Sequence, residues 1–255
     1  MKIIGYSERG AMNALFYGMA MKEDIGALKK FLELAKIDSS VYKDFELYME
    51  CSLSDFGDPD LVIIAQKDDT EQDVFFIEAK VSHRVTFSLE KQRKSHDEYC
   101  GYEIKKNDKK YDASNLFFQL RLKELFFSTN EKFMITDGDT HDESIKCKKG
   151  KTGQENHRSI GSNEIVGKFA RIIKENGKQI HSYYIAIIPE CEECQEPRVE
   201  QIYDIDIRLV PWERILECDK FRKYLDETIR FNQVEKDQGN KGISQILNNP
   251  FPNNG

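Results

Sequence analysis

The chain has 255 residues, with 38 Lys and Arg against 45 Asp and Glu, a formal charge of −7 and 39% apolar residues. That length can bury a sizeable core in one or two domains, while the acidic balance excludes a protein that coats nucleic acid over its whole surface. No apolar run approaches membrane-spanning length and the opening MKIIGYSERG lacks the apolar segment of a secretory signal, so a cytoplasmic location is expected.

The first pattern is helical. In GYSERGAMNALFYGMA, Met12, Leu15, Phe16 and Met19 recur at helical spacing, with Ser7 as N-cap and Glu8 in the first turn. EDIGALKKFLELAKI follows as a second helix, with Ile25, Leu28, Phe31, Leu32 and Ala35 in register. FELYMECSL alternates Phe45, Leu47, Met49 and Cys51 on one face and reads as a half-buried strand. Leu61 to Lys67 and Val74 to Val81 are β-branched and aromatic runs parted by the turn-rich DDTEQD, which predicts a hairpin. Ser88 to Tyr102, Ala113 to Phe127 and Val166 to Glu175 carry helical patterns. HSYYIAIIP, His181 to Pro189, is a strongly apolar strand reached through them, as a crossover to a neighbouring strand requires.

Helices, three strands, helices and a strand predict an α/β fold, a central mixed sheet flanked by helices, over about residues 1–190. Residues 128–162 are polar and aperiodic and read as an insertion. Residues 191–255 are expected to form a C-terminal extension packed on the core. It comprises a short strand and turn in DIDIRLVPWERI, a surface helix in FRKYLDETIRFN and a loose tail rich in Asn, Gly and Pro.

Three charged residues stand out within the hairpin. Asp60 opens the first run and Glu78 lies near the end of the second, back alongside it; alternate strand residues share a face, so Glu78 and Lys80 point the same way and Ala79 the other. Two carboxylates and an ammonium thus converge at one open end, flanked by Leu, Val, Ile and Phe, where an unpaired charge is costly. A hard cation would compensate them, and Mg²⁺ characteristically takes one or two carboxylates plus substrate phosphate oxygens. Lys80 would then serve the attacking water or stabilise charge on the phosphate. The alternative is a Glu–Lys pair on a solvated edge strand and an Asp capping a turn.

The stretch GDPDLVIIAQKDDTEQDVFFIEAK resembles the PD-(D/E)xK nuclease superfamily, the restriction-endonuclease-like group. The resemblance implies a three-layer αβββαβ core and Mg²⁺-dependent hydrolysis of nucleic acid, most simply DNA, with Mn²⁺ as a substitute. It implies Asp60 and Glu78 as metal-binding acids, Lys80 as the catalytic lysine and the backbone carbonyl of Ala79 as a further ligand. Members often place another Glu on the preceding helix, which makes Glu8 a candidate metal ligand; an acid favoured by the helix dipole is the alternative. Relatives also carry Gln or Lys on the helix after the ExK strand. In SNLFFQLRLKELFF, Gln119 and Lys123 share a face and Gln119 is the candidate catalytic residue, against a plain surface Gln. The same fold acting as a catalytically idle module that binds nucleic acid or protein remains open, as does a homodimer.

Charge placement accords with a phosphate partner. From Lys80 to Lys123 eleven basic residues face six acidic ones, whereas from Glu190 to Asp237 eight face fourteen. Taken alone, the KKNDKK run at 105–110 is as well read as a solvated loop. The six cysteines read as free thiols, and Cys191 and Cys194 form one CxxC without the second pair that a structural zinc normally needs. KCKKGKTG ends in GKT, but Ile145 stands where a phosphate-binding loop needs its first Gly.

Overall fold

The computed structural model describes residues 8–81, 87–100, 115–128, 163–174, 178–202 and 205–232. Six strands form one sheet: β1 (Asp44–Met49), β2 (Leu61–Gln66), β3 (Glu71–Ala79), β4 (Gln179–Ile188), β5 (Arg198–Ile202) and β6 (Ile205–Pro211). Their spatial order is β1-β2-β3-β4-β6-β5. The pairs β1–β2, β2–β3 and β5–β6 are antiparallel, while β3–β4 and β4–β6 are parallel, so the sheet is open and mixed.

The centre and the edges differ as burial requires. In β2 and β3, LVIIA and QDVFFIEA are buried on both faces, as expected of strands covered from both sides. The edge strand β5 alternates half-buried and exposed residues. Its sequence, RVEQI, has too little apolar content to announce a strand by itself; pairing with β6 defines it. β6 places the segment after residue 190 directly beside β4.

Helices cover both faces. The first helical stretch runs as α1 (Glu8–Met12), a π-helical turn (Asn13–Tyr17) and α2 (Gly18–Ala20). The π-turn puts three consecutive residues, Ala14, Leu15 and Phe16, into the core. Ser7, the expected N-cap, lies outside the described residues. α3 (Ile25–Leu34) starts where Asp24 accepts a hydrogen bond from Ala27 N at 3.0 Å. Later come α4 (Leu89–Cys100), α5 (Leu116–Ser128), α6 (Glu164–Lys174), α7 (Trp212–Glu217) and α8 (Asp219–Asn232). One core joins Leu61, Ile63, Phe75, Ile77, Ile185 and Ile187 to residues of α1 to α3, α7 and α8. The other joins Val62, Ile64, Val74, Phe76, Ala186 and Ile188 to α5 and α6. The KKNDKK run, residues 129–162 of the expected insertion and the tail after residue 232 lie outside the described residues.

Candidate active site

Register brings the hairpin's charged residues together. Leu61 pairs with Ile77 in the antiparallel ladder, so Asp60, one residue earlier, stands beside Glu78, one residue later. Asp60 Oδ2 accepts a hydrogen bond from Ala79 N at 2.8 Å, which ties the loop end to the strand end. That loop reaches the site through a 3₁₀ turn at Ser54–Phe56 and through Gly57, whose φ of 78° belongs to the left-handed region that favours glycine.

Lys80 follows directly after β3. Its N–H donates to Ile187 O at 2.7 Å, and its carbonyl accepts from Trp212 Nε1 at 2.9 Å. Trp212 is fully buried, so the backbone under Lys80 is held from both sides. The side chains of Lys80 and Asp60 are on half-buried residues, while Glu78 is buried. The cluster thus sits at the carboxyl ends of the parallel strands β3, β4 and β6, the end where open α/β sheets bind ligands.

α1 adds Glu8, a half-buried residue. Burial pushes its pKa from 4.5 up to about 7; the Lys80 ammonium opposes that rise, and the neighbouring charges of Asp60 and Glu78 add to it. Glu78 is likewise pushed from 4.5 to about 7, first by burial, with Lys123 opposing and Asp60 reinforcing the shift. Four groups from three separate segments therefore share one electrostatic environment.

Lys123 is the residue whose place the sequence pattern did not reveal. On an exposed helix face it would be solvated, yet its side chain is 1% exposed and its Nζ stands 2.8 Å from Glu78 Oε1. The contact is electrostatic rather than a well-directed hydrogen bond, and Glu78 Oε2 has no hydrogen-bond partner among the described residues. Gly57 matters here as well, because a Cβ at that position would lie 3.1 Å from Lys123 Nζ. The available signal was a lone Lys within the apolar LFFQLRLKELFF, on the face shared with Gln119. Gln119 itself lies one turn earlier on α5, half-buried, its Oε1 without a partner among the described residues.

For a divalent cation, Asp60 and Glu78 provide hard oxygen donors from facing strand ends, and the unpartnered, buried Oε2 of Glu78 is the atom best suited to the role. Glu8 lies within electrostatic reach of both. Ala79 is fully buried, and its N–H is committed to Asp60. Among the described residues no group of three or more His, Cys, Asp and Glu side chains is set to share a metal ion. Cys191 and Cys194 are buried free thiols joined by mutual backbone hydrogen bonds across a tight turn, and burial pushes both pKa values up.

Fold and site together define an α/β protein with an open, six-stranded mixed sheet flanked by helices and a charged cluster at its carboxyl end. No family model, no curated protein and no solved structure matches the chain. Among the described residues no helix is long and apolar enough to cross a membrane.

Proposed function

We propose that the chain is a metal-dependent nuclease of the PD-(D/E)xK type, hydrolysing phosphodiester bonds of nucleic acid, most simply DNA, with Mg²⁺. The observation that carries this reading is the convergence of Asp60, Glu78 and Lys80, with Glu8 from a separate helix, at the strand ends of an otherwise apolar sheet. Three charged groups in such a place cost stability unless they serve a ligand. Mg²⁺ held by Asp60 and Glu78 would supply charge neutralisation for the phosphate. Lys80, pinned through its backbone by Trp212 and Ile187, orients the attacking water or meets charge that develops on the phosphate. The helix residues Gln119 and Lys123 sit behind the strand, where Lys123 holds one oxygen of Glu78.

The test is cleavage of plasmid and oligonucleotide substrates in Mg²⁺ and in Mn²⁺. Activity should disappear in Asp60→Ala and in Lys80→Ala; cleavage that survives both changes overturns the assignment. One observation favours a second reading, a catalytically idle module on the same fold that binds nucleic acid or protein: Lys123 already compensates Glu78. DNA binding that weakens with salt, with no cleavage in any divalent metal, would select it.

A further inference from the structure

At the opposite end of β3, on the other face of the sheet, lies a cleft of about 350 Å³. Asp73 forms its floor. Five residues before Glu78, it lies about 17 Å away along the strand at ~3.3 Å per residue. Asp73 is fully buried, yet it is not short of partners: Tyr42 donates its hydroxyl to Oδ2, Lys67 Nζ stands 2.9 Å from Oδ1, and His181 Nδ1 lies 3.4 Å from the same oxygen. Its charge is therefore spent inside the wall.

The cations facing the opening are a different matter. Arg208 lies over the ring of Tyr183, 4.9 Å from the centroid, and Tyr183 stacks on Phe75 with ring centroids 5.1 Å apart. The ring contact places the guanidinium beside the opening. Arg208 makes no ion pair among the described residues, and its buried Nε has no hydrogen-bond partner among them. Lys36, exposed on the rim, is likewise without an ion pair among the described residues. The remaining acid of the lining, Asp38, accepts hydrogen bonds from the N–H and hydroxyl of Ser40, at 3.0 and 2.7 Å, which stabilise its negative charge on the rim.

A protein of net charge −7 thus keeps a guanidinium and an ammonium, neither ion-paired among the described residues, beside a floor carboxylate that Lys67 already pairs. Three cations, Lys36, Lys67 and Arg208, face two carboxylates, Asp38 and Asp73, which leaves the lining with a net positive charge suited to an anion, and a guanidinium fork matches the oxygens of a phosphate. Arg208 and Phe75 flank the ring of Tyr183, which leaves charge rather than base stacking to recognise the ligand. We propose that this cleft is a binding site for a phosphate anion, gripped by Arg208 and Lys36, with Lys67 supporting from the floor. The source is either free phosphate or the phosphorylated end of a nucleic acid. The site stands independently of the nuclease reading.

The experiment is calorimetric titration of the full chain in EDTA with three probes: inorganic phosphate, a 5′-phosphorylated oligonucleotide and the same oligonucleotide without the phosphate. Phosphate is expected to bind with a Kd of about 1 mM, as suits a small, solvated anion. Arg208→Gln should weaken binding about tenfold, the loss of a charge-assisted fork. Lys36→Gln, at an exposed position, should weaken it severalfold, and Lys168→Gln, an exposed lysine of α6, should leave it unchanged. Tighter binding of the phosphorylated oligonucleotide than of both free phosphate and the unphosphorylated oligonucleotide would identify a nucleic-acid end as the source; tighter binding of free phosphate, or no gain from the terminal phosphate, would identify the free anion. The proposal is overturned by absence of phosphate binding or by equal phosphate affinity in wild type, Arg208→Gln and Lys36→Gln.

Discussion

Lys123→Met tests the buried pair at the candidate site. The change removes the ammonium and keeps an unbranched stem of similar reach, so it isolates charge from packing. In the wild type, burial holds the Glu78 carboxyl at about 7 against an ordinary 4.5, and Lys123 restrains that rise. An acid whose pKa is raised by folding keeps its proton longer in the native state than in the unfolded chain. Stability therefore falls as pH rises from about 4.5 to about 7, and without Lys123 the fall must continue to higher pH. Breaking a buried ion pair by removing one partner costs about 3–5 kcal/mol while the other stays charged. At pH 6 Glu78 is largely protonated in both proteins and the cost shrinks. With both side chains 1% exposed, solvent screening offers little relief at pH 9. For a chain of this size a loss of ~3 kcal/mol lowers Tm by roughly 6–12 °C. Thermal unfolding of the metal-free protein at pH 6 and pH 9 is the assay, with Glu78→Gln combined with Lys123→Met expected to recover most of the loss at pH 9. A Tm difference that is the same at both pH values, or none at pH 9, would refute the argument.

Other predictions concern the first helices and the far side of the sheet. Asp24 caps α3 and accepts hydrogen bonds from Lys223 and Tyr224, both at 2.7 Å, and these contacts with Lys223 first hold its carboxyl down at about 2. Asp24→Ala should cost about 1 kcal/mol at neutral pH. Because the folded pKa is depressed, that difference is fully present above about pH 4 and disappears as pH falls through about 2, which urea unfolding across this range will show. Gly18→Ala should destabilise by about 1–3 kcal/mol despite the better helix propensity of alanine. The added Cβ would lie 2.9 Å from Cδ1 of Tyr224, a ring tethered through its hydroxyl to Asp24. A gain in Tm for this variant would show that the ring yields freely.

Much of the layout was legible in local patterns. The period-two alternation of Phe45, Leu47 and Met49, the continuous apolar run from Leu61 to Ala65 and the helical spacing of Met12, Leu15, Phe16 and Met19 all correspond to observed elements, because each pattern records which side of its own segment meets the core. The proximity of Asp60 and Glu78 was equally readable, since a hairpin's register follows from its turn and its alternation. β5 was not readable: an edge strand with polar residues exists through its partner, and its own side chains carry little record of it.

The sequence by itself determined the class of fold, because each element's own pattern and the order of elements record it, and the pairing of carboxylates at a strand end, because a hairpin's register is local. Only the tertiary structure decided that Lys123 is buried against Glu78, that α1 delivers Glu8 to the same place, and that Arg208, Tyr183 and Asp73 from three strands meet in one cleft. Those contacts depend on how helices dock and in which order strands lie. A charged residue at helical spacing looks the same in the sequence whether it faces water or a carboxylate forty-five residues away. The free energy that separates the two cases comes from desolvation, a property of the packed surroundings and not of the residue.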